Sequence, residues 1–160
     1  MFDPQPFIAR YAAGAARLRA AYEAVPPEAR QWRPGPDEFS AHEVVVHCAD
    51  SETKAHGRIR QLAAEESPRI QGYDEMLWAR VLDYHAHPVE AALATVEAVR
   101  ANTVPLLERL PPGAWEREGM HTESGRYTAA TWLQNYAAHL EDHAAQIEAT
   151  HAAWKAQQPG

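Results

Sequence analysis

Apolar residues recur at steps of three and four along four long stretches of the chain, and this periodicity is typical of amphipathic helices. The first stretch runs from about Phe7 to about Val25. It ends at Pro26 and Pro27, because proline lacks the amide hydrogen that a continuing helix needs. The proline-rich segment that follows, up to Phe39, predicts a long crossing loop.

The middle of the chain predicts two further long helices and one short one. Ser40 and Glu43 have the spacing of a capping box directly before an apolar run, so a helix is expected from there to about Ala64. A short extra helix fits residues 75–84. A third long helix fits residues 89–110, and Pro105 inside it is expected to kink or divide it.

The last predicted helix follows Thr128, which suits an N-cap, and runs to about Trp154. No segment shows the alternation that would indicate a strand convincingly. These patterns predict an all-α fold, a four-helix bundle with long crossing loops and a short extra helix. The chain has 160 residues, which predicts a single domain over residues 1–160.

Charge and composition narrow the classes of partner. The formal net charge is -7 and no run of basic residues is present, so nucleic acid is not an expected partner. No apolar stretch approaches the roughly 20 residues that cross a bilayer, and the N-terminal residues do not resemble a signal peptide. We therefore expect a cytoplasmic protein without membrane contact. Cys48 is the only cysteine, so any metal must be bound by histidines and carboxylates.

Three of the nine histidines occupy positions from which they could share one metal ion. His139 and His143 are four residues apart, on one flank of the apolar stripe of the last helix. His47 lies on the corresponding flank of the second helix. Spacing alone also fits a solvated or structural pair. Three imidazoles from two helices predict a divalent metal site with an open coordination position.

Three polar residues are candidates to support these ligands. Glu43 and Asp50 share the His47 side of the second helix, and Gln146 lies one turn beyond His143. Each could orient an imidazole by accepting its N–H, or could be an ordinary solvated residue.

Arg100 lies inside the apolar stripe of the third helix, where an unpaired guanidinium would be costly. Arg100 could pair with an internal carboxylate such as Asp50, or its head group could extend to solvent at the end of the bundle. The functional alternative is that Arg100 binds the carboxylate of a substrate. Cys48 is interpreted as a small buried hydrophobe rather than a nucleophile. His121 lies in a glycine-containing loop that could fold over the site, and its role stays open.

Three runs of residues together resemble the DinB/YfiT-like metalloprotein superfamily. They are WRPGPDEFSAHEVVVHCADSE at 32–52, GMHTESGRYT at 119–128 and HLEDHAAQI at 139–147. The resemblance implies a four-helix bundle with one divalent ion, usually zinc or nickel, bound by His47, His139 and His143. It also implies kinship with enzymes that depend on low-molecular-weight thiols and with proteins described as metal-dependent hydrolases.

These observations predict a metal-dependent enzyme acting on a small molecule, in which the ion activates a thiol or a water. Transfer of a low-molecular-weight thiol is narrowly favoured over hydrolysis. The alternative is a non-catalytic metal-binding or stress-response protein acting as a dimer, with the fourth coordination position closed by protein. A homodimer is compatible with either function.

Overall fold

The computed structural model describes residues 2–158, which form five α-helices and three short strands. The helices are α1 (Gln5–Glu23), α2 (Ala41–Ala64), α3 (Glu75–Val81), α4 (Val89–Leu107) and α5 (Ala129–Ala156), and the strands are β1 (Arg69–Ile70), β2 (Glu118–His121) and β3 (Gly125–Thr128). The four long helices and the short α3 confirm the predicted helical elements.

The four long helices form a bundle in which consecutive helices are not always neighbours. Helix α1 packs against α5 and α4, and α2 packs against the same two helices from the opposite side. Helices α1 and α2 therefore lie diagonally across the bundle, which explains the long crossing loop between them. Within residues 2–158, no helix has both the length and the apolar character that a membrane span requires.

The two helices that bear the candidate ligands both begin at a side-chain cap. The hydroxyl of Ser40 accepts a hydrogen bond from the amide of Glu43 at 3.2 Å, and the amide of Ser40 donates to the Glu43 carboxylate at 3.0 Å. Thr128 accepts from the amide of Thr131 at 3.0 Å. Each cap satisfies a free amide of the first turn and sets where the helix begins.

Pro105 neither divides α4 nor ends it directly, because the helix continues to Leu107 without interruption. Proline at this position removes the hydrogen bond to the carbonyl of Ala101. Ala101 is exposed, so water can replace the lost donor. The helix then ends within its next turn, before the predicted end at Leu110.

A three-stranded sheet, which the sequence did not predict, closes one end of the bundle. Strand β1 pairs in parallel with β2, and β2 pairs antiparallel with β3. A Cβ atom at Gly119 would lie 2.4 Å from the carbonyl oxygen of Pro68, so the approach of the strands requires glycine. Ile70 and Tyr127 are buried in the core beneath the sheet. Strands of two to four residues are too short to show an alternating pattern.

Candidate metal centre

His47 on α2 and His139 and His143 on α5 form one cluster. Their candidate ligand atoms all lie within 4.8 Å of one another. The ring centroids are 4.6 Å apart for His139 and His143, 4.8 Å for His47 and His143, and 5.9 Å for His47 and His139. Three imidazoles bound tetrahedrally to one ion at about 2.1 Å would place their centroids about 5.2 Å apart. The cluster therefore fits a single divalent ion.

Hydrogen bonds from behind orient the two imidazoles on α5. Nδ1–H of His139 donates to Oε1 of Glu52 at 3.0 Å. Nδ1–H of His143 donates to Oε1 of Gln146 at 2.8 Å. Both bonds leave Nε2 with the lone pair that a metal ion requires, and they hold each ring in one orientation.

His47 is almost fully buried, with 3% of its surface exposed. Its Nδ1 has no hydrogen-bond partner among residues 2–158. Burial, together with the neighbouring His143 and His139, lowers the pKa of His47 to about 3. Burial and His139 likewise lower the pKa of His143 to about 4. Both rings are neutral at neutral pH, and the neutral imidazole is the form that binds metals.

A buried ion pair lies behind His139. Glu52 is 0% and Arg100 1% exposed, and the guanidinium binds both carboxylate oxygens, with Nη2 at 2.7 Å and Nε at 3.0 Å. Arg100 also donates to the carbonyl oxygens of Tyr11 and Tyr136. Burial alone would raise the pKa of Glu52, but the hydrogen bond from His139 and the charge of Arg100 hold it below its ordinary value. Glu52 is therefore an ionised acceptor for His139.

Glycine in α1 makes room for this pair. A Cβ atom at Gly14 would lie 2.4 Å from Nη1 of Arg100 and 3.1 Å from the Cβ of Leu140. The guanidinium therefore lies directly against the backbone of α1. Two separate apolar clusters make up the core, and Glu52 on α2, Arg100 on α4 and His139 on α5 each fall between the positions that belong to the two clusters.

A carboxylate and a hydroxyl border the histidine cluster. Oε2 of Glu75, at the start of α3, lies 3.6 Å from Nε2 of His47, and the Glu75 side chain is 56% exposed. The hydroxyl of Ser51 lies 3.3 Å from Nε2 of His139. Solvent can reach this part of the cluster, because the Glu75 side chain is exposed and the His139 side chain is 19% exposed.

Two cavities differ in their relation to the cluster. A cavity of about 640 Å³ between α1 and α4 has no histidine among its lining residues. A second cavity, of about 480 Å³, is lined by Phe39, whose ring contacts His47, and by Met76, the neighbour of Glu75. The second cavity thus borders a residue that contacts His47, but none of the three clustered histidines lines it, and neither does Glu75.

A family model described as the DinB superfamily matches residues 10–147. The chain belongs to the DinB superfamily. This membership confirms the resemblance that the three runs of residues indicated.

Similar bacterial proteins carry the name "Putative metal-dependent hydrolase". One from Oceanobacillus iheyensis is 36% identical over 109 residues, which are 68% of this chain and 63% of the relative. One from Bacillus mycoides is 31% identical over 109 residues, which are 68% of this chain and 62% of the relative. The matched region thus spans less than two thirds of the length of these relatives.

Two solved structures share the DinB fold of this chain. YfiT from Bacillus subtilis, described as a probable metal-dependent hydrolase with an unusual four-helix bundle topology, has a TM-score of 0.88 at 23% identity, over 95% of this chain and 87% of YfiT. The mycothiol-dependent maleylpyruvate isomerase has a TM-score of 0.72 at 12% identity, over 91% of this chain and 61% of the isomerase. These similarities support the four-helix bundle architecture.

The structure separates the predicted supporting residues of this DinB-family chain. Gln146 accepts a hydrogen bond from His143. Glu43 instead serves the cap of α2 and binds Arg33, and no hydrogen bond links it to His47 within residues 2–158. Its place in the first turn of α2 explains the difference, because its carboxylate folds back onto the amide of Ser40.

The predicted partner of Arg100 was wrong, because Glu52 and not Asp50 pairs with it. Asp50 accepts a hydrogen bond from the hydroxyl of Tyr84 at 2.5 Å. Two residues apart on a helix, the side chains of Asp50 and Glu52 point in nearly opposite directions. The internal pair also makes Arg100 part of the support behind His139, with most of its donors engaged, and not an open anchor for a substrate carboxylate.

The sequence did contain a signal for Glu52. It follows Cys48 by four residues and precedes Ala55 by three, so it lies on the core face of α2. An acidic residue on one core face and Arg100 on another indicate a buried pair. No comparable signal in the sequence related Glu75 to His47, because these residues lie on different helices, and only the packing of α3 against α2 brings them together.

Cys48 and His121 lie outside the histidine cluster. Cys48 is fully buried among apolar side chains, and burial raises the pKa of its thiol, as expected for a small core residue. Nδ1 of His121 accepts hydrogen bonds from the amides of Glu123 at 3.2 Å and Ser124 at 3.4 Å. His121 therefore holds the turn between β2 and β3.

Proposed function

We propose that this protein is a metal-dependent enzyme in which His47, His139 and His143 hold one divalent ion, zinc or nickel. The observation that carries the proposal is the convergence of the three imidazoles, two of them oriented by Glu52 and Gln146. Three protein ligands leave a coordination position for a water or a substrate, as in catalytic zinc sites. Solvent access from the side of α3 supports a catalytic role over a closed structural site.

An ion bound in this way would lower the pKa of a bound water or thiol and so supply a nucleophile at neutral pH. The carboxylate of Glu75, 3.6 Å from His47, is placed to accept the proton of that nucleophile. A carboxylate base at the open side favours hydrolysis, and the names of the bacterial relatives support the same reaction class. We therefore propose hydrolysis of a small molecule and keep transfer of a low-molecular-weight thiol as the competing reaction.

Elemental analysis of protein purified without a histidine tag tests the metal site. We expect about one zinc or nickel ion per chain in the wild type, and loss of most of it in His47→Ala and in His143→Ala. The exposed His87 is the matched control, and His87→Ala should retain the wild-type metal content. Unchanged metal content in both ligand variants would refute the assignment.

Turnover assays distinguish the reactions. A panel of small esters and amides tests hydrolysis, and a general electrophile offered with different cellular thiols tests transfer. We expect metal-dependent hydrolysis that Glu75→Gln reduces by about 10²-fold or more. Metal-dependent transfer with no hydrolysis would favour the thiol reaction. A metal-loaded protein that turns over neither class would favour the non-catalytic role. The homodimer and the cytoplasmic location stay predictions, and light scattering of the purified protein tests the first.

A further inference from the structure

The hydroxyl of Tyr73 is a buried donor without a hydrogen-bond partner among residues 2–158. Its ring is held firmly, because it packs on Trp78 with centroids 4.6 Å apart and Nζ of Lys54 lies 5.0 Å from both ring centroids. A fixed ring with an unused buried hydroxyl is costly, since the hydroxyl has lost water and gained nothing. Such a group calls for a partner that comes from outside the chain.

Two more hydroxyls lie beside that of Tyr73. The hydroxyl of Ser51 lies near enough to oppose the rise in the pKa of Tyr73 that burial causes, although the two hydroxyls form no hydrogen bond of ordinary geometry, and Tyr136 and Glu75 lie nearby. The hydroxyl of Ser51 lies 3.3 Å from Nε2 of His139, and the Tyr136 ring meets the His139 ring edge to face at 5.3 Å. Ser51 and Tyr136 therefore both contact His139, and Tyr73 lies close to these two residues.

Arg58 gives this group of hydroxyls a positive character. Its Nη1 donates to the hydroxyl oxygen of Tyr136 at 3.1 Å, so the proton of that hydroxyl stays available to another acceptor. Its Nη2 donates to the carbonyl oxygen of Gln71 at 2.6 Å, which ties α2 to the segment that carries Tyr73. The guanidinium thus polarises Tyr136 and holds the segment before Tyr73 in place.

We propose that the hydroxyls of Tyr73, Ser51 and Tyr136 bind an acceptor oxygen of the substrate, the oxygen of a carbonyl or carboxylate group, beside the metal centre. This inference rests on the proposed function and names its substrate class as small acyl compounds. Fixed donors aimed at one oxygen stabilise negative charge that develops there during attack on a carbonyl carbon. Glu75, an acceptor, lies near the same donors and suits the nucleophile's proton rather than the substrate oxygen.

The stability of Tyr73→Phe is the first test. Because the Tyr73 hydroxyl makes no well-formed hydrogen bond among residues 2–158, its removal should leave the urea midpoint of the metal-free protein unchanged or raised. Tyr84→Phe is the matched control, since the Tyr84 hydroxyl donates to Asp50 and its removal should lower the midpoint. A fall in Tyr73→Phe as large as in Tyr84→Phe would show that the hydroxyl is bonded within the fold and would overturn the proposal.

Ligand binding to the zinc-loaded protein is the second test, read by calorimetry and independent of turnover. The probes are benzohydroxamate, benzoate and benzamide, and the last two separate a charged from a neutral acceptor oxygen. We expect Tyr73→Phe to bind zinc as tightly as the wild type and to bind the probes about tenfold more weakly. Equal probe affinity, or no probe binding by the zinc-loaded wild type, would overturn the inference alone. A wild type that binds no zinc would overturn the proposed function and this inference together.

Discussion

Replacing Glu52 by glutamine tests the link between the buried ion pair and the metal centre. The substitution keeps the shape of the side chain but leaves the Arg100 guanidinium, 1% exposed, without its counter-charge. Removing one partner of a buried pair costs about 3–5 kcal/mol of unfolding free energy. Domains of this kind have about 5–15 kcal/mol in total, so the loss is a large share. With a urea dependence of about 2 kcal/mol per molar, the midpoint should fall by about 2 M.

Urea unfolding of the metal-free protein, followed by circular dichroism in a chelator at pH 7, measures this loss. Competition with a chromophoric chelator then measures zinc affinity, which should fall about 10-fold to 100-fold because His139 loses an ionised acceptor. Glu66→Gln is the matched control, since Glu66 is exposed and should change stability by less than about 0.5 kcal/mol.

A double variant separates the two roles of Glu52. Adding Arg100→Met to Glu52→Gln removes both charges, so much of the lost stability should return. Zinc affinity should stay low, because His139 still faces a neutral amide. A single variant that loses less than about 1 kcal/mol would refute the view that Arg100 depends on Glu52.

Three further predictions follow from the same geometry. Gly14→Ala should destabilise the protein by about 1–3 kcal/mol in urea unfolding, because the added Cβ would contact Arg100. Gly57→Ala in α2 should not, because the space around Gly57 is open, and equal effects of the two substitutions would contradict the close packing of Arg100 on α1. Metal-free protein should lose stability as the pH falls from about 6.5 toward 4. The unfolded chain protonates its histidines near pH 6.5, whereas the lowered pKa values keep folded His47 and His143 neutral until about pH 3 and 4. Urea unfolding that gives the same stability between pH 7 and 4.5 would show that the fold does not hold these two rings neutral. Gln146→Ala should weaken zinc binding about tenfold with little change in stability, since Gln146 is exposed and its main partner is His143. Unchanged zinc affinity would show that the hydrogen bond between Gln146 and His143 does not orient the His143 ring.

The sequence by itself determined the helices, the residues at which α2 and α5 begin, and the helix flanks on which the three histidines lie. Apolar periodicity and capping residues act within a few residues of one another, so Ser40, Glu43 and Thr128 marked the beginnings of α2 and α5 correctly. The positions of His47, His139 and His143 on the flanks of two amphipathic helices were likewise local properties, and a bundle brings such flanks together.

Only the tertiary structure decided which groups surround the histidines. Glu52 meets Arg100 across 48 positions of sequence, and Glu75 meets His47 through a short helix whose placement depends on packing. The unused hydroxyl of Tyr73 is recognisable only when its whole environment is known. The sheet likewise depends on the tertiary structure, because its strands are stabilised by pairing between segments far apart in the chain. Periodicity indicates which face of a helix a side chain lies on, whereas the residue that this side chain contacts depends on how elements distant in sequence pack together.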